Sequence, residues 1–148
     1  MALPYFTKAG DFPPGVHRAT LREVSDRLGV SSMRRQAIAL RLGRIDHLAR
    51  STGHLGRLIV FGSFVTDKPE PNDVDVFLLM EDKFDVGLLT GEAKLLFDHA
   101  AADAHFGASV FWMRRLAALG GEQEAVEFWQ TRRDGGLRGI VEIIPEIP

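Results

Sequence analysis

Leu58-Ile59-Val60-Phe61-Gly62-Ser63, then nine residues, then Asp73-Val74-Asp75-Val76-Phe77-Leu78-Leu79-Met80 is the most strongly patterned segment of the chain. Leu58–Phe61 is a short β-prone apolar run and reads as a buried strand. Gly62-Ser63 interrupts it, and Phe64–Lys68 has room for one helical turn. Pro69-Glu70-Pro71-Asn72 must be a loop, because two prolines in three residues fit neither a helix interior nor a central strand. Asp73–Met80 is the strongest strand signal. Outward from this pair, Ala108–Met113 reads as a third strand and Arg138–Ile144 as a last one. Between them, Leu88–Phe106 and Gly121–Thr131 read as helices and Asp134-Gly135-Gly136 as a turn. Upstream, residues 1–15 form a Gly- and Pro-containing arm. Thr20-Leu21-Arg22-Glu23 fits a capping box for a helix to about Leu28 with Gly29 as C-cap. Ser31 or Ser32 caps a longer helix to about Thr52, with Ile38, Leu42, Ile45 and Ala49 as its apolar stripe. Strands alternating with helices predict an α/β (α+β) fold around one sheet of about four strands, preceded by an N-terminal helical segment.

The chain has 148 residues, 45% hydrophobic and 26% charged, which suits one soluble globular domain. The expected organisation is one domain over 1–148, with arm and helices in 1–56 and the sheet core in 57–148. There is no cysteine, which excludes disulfides, thiolate metal sites and a cysteine nucleophile. The N-terminal residues lack the apolar region of a signal peptide, and no apolar run approaches the roughly 20 residues of a membrane span. A cytoplasmic protein with no membrane partner is the expectation. Net charge is -2, but residues 1–58 carry ten basic and four acidic residues and residues 59–148 eight and sixteen. Two readings follow: a basic helix docked on an acidic body, or a surface for a polyanion such as RNA.

Asp73 and Asp75 are two apart in a strand, so both carboxylates point to one face with Cα atoms roughly 6.5–7 Å apart. Carboxylates on an apolar strand are costly unless water, a base or a cation receives them. Mg²⁺ takes such oxygen ligands and keeps waters that leave positions for phosphate. The alternative is that Asp73 lies at the strand mouth and Asp75 is solvated or ion-paired. Gly62-Ser63, after one strand and before a helical turn, offers free N–H groups and a hydroxyl, which make an anion cradle. Lys68 can add a point charge. A plain turn is the alternative.

Phe61-Gly62-Ser63, the spacer and Asp73-Val74-Asp75-Val76 together resemble the signature of the polymerase-β-type nucleotidyltransferase superfamily: apolar, Gly, Gly or Ser, a spacer of similar length, then Asp-apolar-Asp/Glu-apolar. FPPGVHRAT, GSFVTDKPEPNDVDV and FGASVFWM also resemble small uncharacterised bacterial proteins related to minimal nucleotidyltransferases. The resemblance implies a mixed sheet with helices on one side and Mg²⁺, as two ions, with Mn²⁺ able to substitute. It implies transfer of a nucleoside monophosphate from ATP or another nucleoside triphosphate to an acceptor such as a protein or RNA. Gly62 and Ser63 match the triphosphate-binding pair, and Asp73 and Asp75 match the first two metal ligands and catalytic carboxylates. The third acid of the pattern belongs in Ala108–Trp112, where Ser109 stands. Serine cannot act as the general base that this carboxylate supplies. The implied alternative is a catalytically degenerate module with a regulatory or toxin–antitoxin-type role beside a helical partner protein.

Asp103 and Glu142 are substitute acids outside the expected place. His99 and Asp103, four apart, could share a cation, though exposed helix neighbours are the commoner case. His17 either tethers the arm or reaches the site. Arg132, Arg133 and Arg138 either meet phosphates or offset the acidic body. Trp112 and Trp129 read as core or groove packing, with base-stacking platforms as the less favoured alternative.

Overall fold

The computed structural model describes residues 3–146; residues 1–2 and 147–148, the ends of the 1–148 domain expectation, lie outside it. Five strands form one mixed sheet in the order β1-β5-β2-β3-β4. They are β1 (Val16–Thr20), β2 (Leu55–Phe61), β3 (Val74–Met80), β4 (Ala108–Arg114) and β5 (Ile140–Ile144). The outer pairs β1·β5 and β3·β4 are parallel, and the inner pairs β5·β2 and β2·β3 are antiparallel. Among the described residues five α-helices accompany the sheet: α1 (Leu21–Leu28), α2 (Met33–Ser51), α3 (Gly91–Leu95), α4 (His99–Phe106) and α5 (Glu122–Glu127). No helix among the described residues is long and apolar enough to cross a membrane.

Local chemistry sets the helix starts. At α1 the capping box is complete: the Glu23 N–H donates to Thr20 Oγ1 at 3.2 Å and the Thr20 N–H to Glu23 Oε1 at 3.0 Å. At α2 the Ser32 hydroxyl accepts from the Arg35 N–H at 3.1 Å. Ile38, Leu42, Ile45 and Ala49 are buried as their spacing predicts, joined by Leu48.

The alternation of β3 places its side chains on two different floors. Val74, Val76, Leu78 and Met80 face the large core under α2, with Leu58 and Val60 of β2, Ala108 and Val110 of β4, and Val141 and Ile143 of β5. Phe77 and Leu79 face a smaller cluster with Ile59, Ile140 and Val126 of α5, bordered by Phe61, Met113 and Trp129. Both faces are therefore covered, not one, and a strand apolar on both faces is what a central position demands.

Three expectations change. The sheet has five strands, not four, because Val16–Thr20 pairs in parallel with β5 at one edge. Leu88–Phe106 is not one helix. A 3₁₀ turn at Val86–Leu88, α3 and α4 divide it, with Gly91 at φ 65° and the Asp98 carboxylate capping α4 through the Ala101 N–H at 3.0 Å. Gly121–Thr131 is helical only to Glu127 and closes as a 3₁₀ turn, Phe128–Gln130.

Candidate functional site

The end of β2 and the start of β3 meet because the two strands pair antiparallel, with Phe61 opposite Asp75. Gly62 follows with φ 79°, ψ -161°, a conformation L side chains rarely adopt. A Cβ there would fall 2.0 Å from Asp75 Oδ2. The backbone favours glycine, and a side chain here would have to push the Asp75 carboxylate aside. Ser63 then opens a 3₁₀ turn closed by Val65 N–H to Gly62 O at 3.3 Å and Thr66 N–H to Ser63 O at 3.2 Å. The Ser63 hydroxyl has no partner among the described residues.

Asp75 lies on the same side of the sheet as Phe77, whereas Asp73 sits just before β3, at the mouth of the strand, and lines the same cavity. In the parallel register Asp75 stands opposite Ser109 of β4. The Ser109 hydroxyl donates to Asp73 Oδ2 at 3.4 Å, a long bond. Burial, then the negative charge of Asp73, pushes the Asp75 carboxyl up to about 6; Ser109, Arg138 and Arg133 oppose the rise. Neither aspartate forms an ion pair among the described residues. Asp75 is therefore a partly desolvated carboxylate held against the charge of Asp73.

These groups line one cavity of about 640 Å³. Gly62, Ser63, Lys68, Asp73, Asp75 and Ser109 form one part of it, Arg132, Arg133 and Arg138 a basic wall, and Phe61, Phe111 and Trp129 an aromatic one. Asp11, buried in the N-terminal arm, accepts from Arg132 Nη1 at 2.8 Å and pairs with Arg138 Nη1 at 3.5 Å. Lys68 and Arg133 pair with no carboxylate among the described residues.

Residues 4–144 match the model of DUF6932, a family of unknown function. The chain belongs to the DUF6932 family. No curated protein matches it, and no solved structure does.

In this DUF6932 chain every residue singled out from the motif, Gly62, Ser63, Lys68, Asp73, Asp75 and Ser109, reaches the same cavity. The substitute acids do not. Asp103 is exposed on α4 and does not line the cavity. Glu142 is buried and tied to Arg57 Nη2 at 2.7 Å. His17 tethers the arm, its Nε2 2.7 Å from Pro13 O. His99 packs on Phe111, ring centroids 5.0 Å apart, instead of sharing a cation with Asp103. Sequence reasoning missed Arg35 and Asp11. Arg35 lies three residues before Ile38, in line with the buried stripe, and that placement was the available signal. Asp11 carried none, since its partners are about 120 residues away in the chain.

Proposed function

We propose that the cavity binds a nucleoside triphosphate with Mg²⁺, and that the protein is a nucleotidyltransferase of the polymerase-β type. It would move a nucleoside monophosphate to a protein or RNA acceptor and release pyrophosphate. One observation carries this reading: the Gly62-Ser63 turn lies so close to Asp75 that a side chain at residue 62 would have to displace its carboxylate. An anion cradle and a carboxylate pair thereby share one wall. The order β2-β3-β4, with Ser109 opposite Asp75, is read as the nucleotidyltransferase-like arrangement.

The donor set fits the ion. Asp73 and Asp75 offer hard oxygen ligands free of basic partners and would hold Mg²⁺, or Mn²⁺, with water and phosphate completing its shell. Among the described residues no group of three acidic or histidine side chains could hold a metal ion, so a second ion would rest largely on the nucleotide's own oxygens. When bound, the metal neutralises charge on the phosphate oxygens. The chain's own groups then act on the nucleotide. The Ser63 hydroxyl donates to a phosphate oxygen. Lys68 and Arg133 supply unpaired positive charge, and Asp11 orients Arg132 and Arg138 on the same wall. Ser109 holds the third-acid place but cannot accept a proton from the acceptor.

That last point favours a second reading, a degenerate module that binds nucleotide and regulates a helical partner. Incubation with α-labelled nucleoside triphosphates, Mg²⁺ and total RNA or protein separates the two. Label transferred by the wild type and lost in Asp75→Asn supports the enzyme. Binding without transfer, with transfer appearing in Ser109→Asp, supports the module. Neither binding nor transfer overturns both.

A further inference from the structure

The cavity carries aromatic side chains beside its charged and polar ones. Phe61 at the close of β2, Phe111 on β4 and Trp129 in the turn after α5 form its aromatic wall. Trp129 packs at ring-centroid distances of 4.5 Å from Phe61, 5.1 Å from Phe111 and 5.2 Å from Phe77 beneath. Phe111 nevertheless leaves 38% of its surface exposed. The two tryptophans differ. Trp112 donates its indole N–H to Phe97 O at 3.0 Å and packs edge-on against Phe84 and Phe97, a satisfied core residue. The Trp129 indole N–H has no partner among the described residues and is not buried. An exposed ring wall inside a concavity, with one open donor, suits a flat π-surface; aromatic side chains stack bases in this way with little regard to sequence.

We propose that Phe111 and Trp129 form the stacking platform for the base of the nucleotide, with Phe61 and Phe77 bracing Trp129 from behind. This rests on the reading of the charged and polar part as a triphosphate site. It narrows the ligand to a nucleoside triphosphate, as against inorganic triphosphate or a sugar phosphate. It also makes selection among bases weak, because ring faces and one N–H do not form a hydrogen-bonding code.

Calorimetric titration of the full chain with Mg²⁺–ATP, Mg²⁺–UTP and Mg²⁺–tripolyphosphate tests it. Wild type should bind ATP more tightly than tripolyphosphate by roughly 5- to 150-fold, the range stacking gives, with UTP nearer to ATP. Phe111→Ala should lose most of that margin for ATP while leaving tripolyphosphate affinity unchanged, and Phe111→Tyr should keep it. Equal wild-type affinity for ATP and tripolyphosphate overturns the platform but leaves the phosphate site standing. So does a Phe111→Ala loss that is the same for both ligands, which marks Phe111 as packing only. Failure of every ligand to bind removes the triphosphate reading and the platform with it.

Discussion

Burial and the neighbouring Asp73 push the Asp75 carboxyl up to about 6, from 3.8 in the unfolded chain. A raised carboxylate pKa means the native state holds the proton more tightly than the unfolded state. Ionised Asp75 therefore destabilises the fold fully above pH 6, and that cost disappears as pH falls toward 3.8. Asp75→Asn should accordingly melt higher than wild type near neutral pH without metal, and the gap should close as the pH is lowered through this window. A pH series of thermal melts on both proteins checks it; a gap independent of pH removes Asp75 as its source. Cation binding requires the ionised form, so Mg²⁺ affinity should fall about tenfold per pH unit below 6. Ser109→Asp adds a third carboxylate beside the first two. It should lower the melting temperature of the metal-free protein and raise Mg²⁺-dependent transfer or pyrophosphate release, by up to 10²–10⁴-fold if the missing general base limits turnover. Asp75 and Ser109 were legible because a strand's two-residue period fixes which side chains share a face; Asp73 joins them from just before the strand. The up-shift at Asp75 was not, because it depends on how deeply neighbouring strands bury the pair.

The segment from Gly62 to Lys68 is built from both sides. Asp75 packs against its first residue, and Arg35 holds the rest. The buried Arg35 guanidinium donates to the carbonyls of Leu28 at 3.0 Å, Phe64 at 2.9 Å and Thr66 at 2.7 Å, and twice to Lys68, at 2.7 and 3.2 Å. Desolvation lowers its pKa, with Asp67 and Glu70 opposing. Arg35→Ala would strand these carbonyls and should cost roughly 3–5 kcal/mol in urea denaturation. Arg35→Lys keeps the charge without the planar fork and should fall between. Gly62→Ala should destabilise the metal-free protein by at least about 1 kcal/mol through its positive φ. It should weaken Mg²⁺–nucleotide binding more than Ser63→Ala does, because its methyl displaces the Asp75 carboxylate. Similar binding losses in the two variants would reduce the Gly62 contact to ordinary turn geometry. At this scale α1, α2 and four strands follow from caps, stripes and β-prone runs. The sequence Val16-His17-Arg18-Ala19-Thr20 hides β1, since only Ala19 is buried and the strand exists by pairing with β5.

Across the molecule, three basic residues of the first part of the chain pair with acids of the second. Arg34 of α2 meets Glu70 at 3.5 Å, Arg44 meets Glu92, and Arg57 of β2 meets Glu142 at 2.7 Å and Glu122 at 3.3 Å. The arm, by contrast, reaches the cavity through Asp11, linking residues near opposite ends of the chain. That link and the second covered face depend on chain closure, which local pattern does not encode. In the proposed function Asp73 and Asp75 receive a metal-bound triphosphate beside Gly62-Ser63. Thermal shift of wild type and Asp75→Asn near neutral pH, with Mg²⁺ alone, nucleotide alone and both, tests it most directly. Mg²⁺ and nucleotide together should raise the wild-type melting temperature, because a ligand bound only to the native state stabilises it, and leave Asp75→Asn unmoved. Equal shifts in both proteins, or none in wild type with ATP, GTP, CTP or UTP, would contradict it.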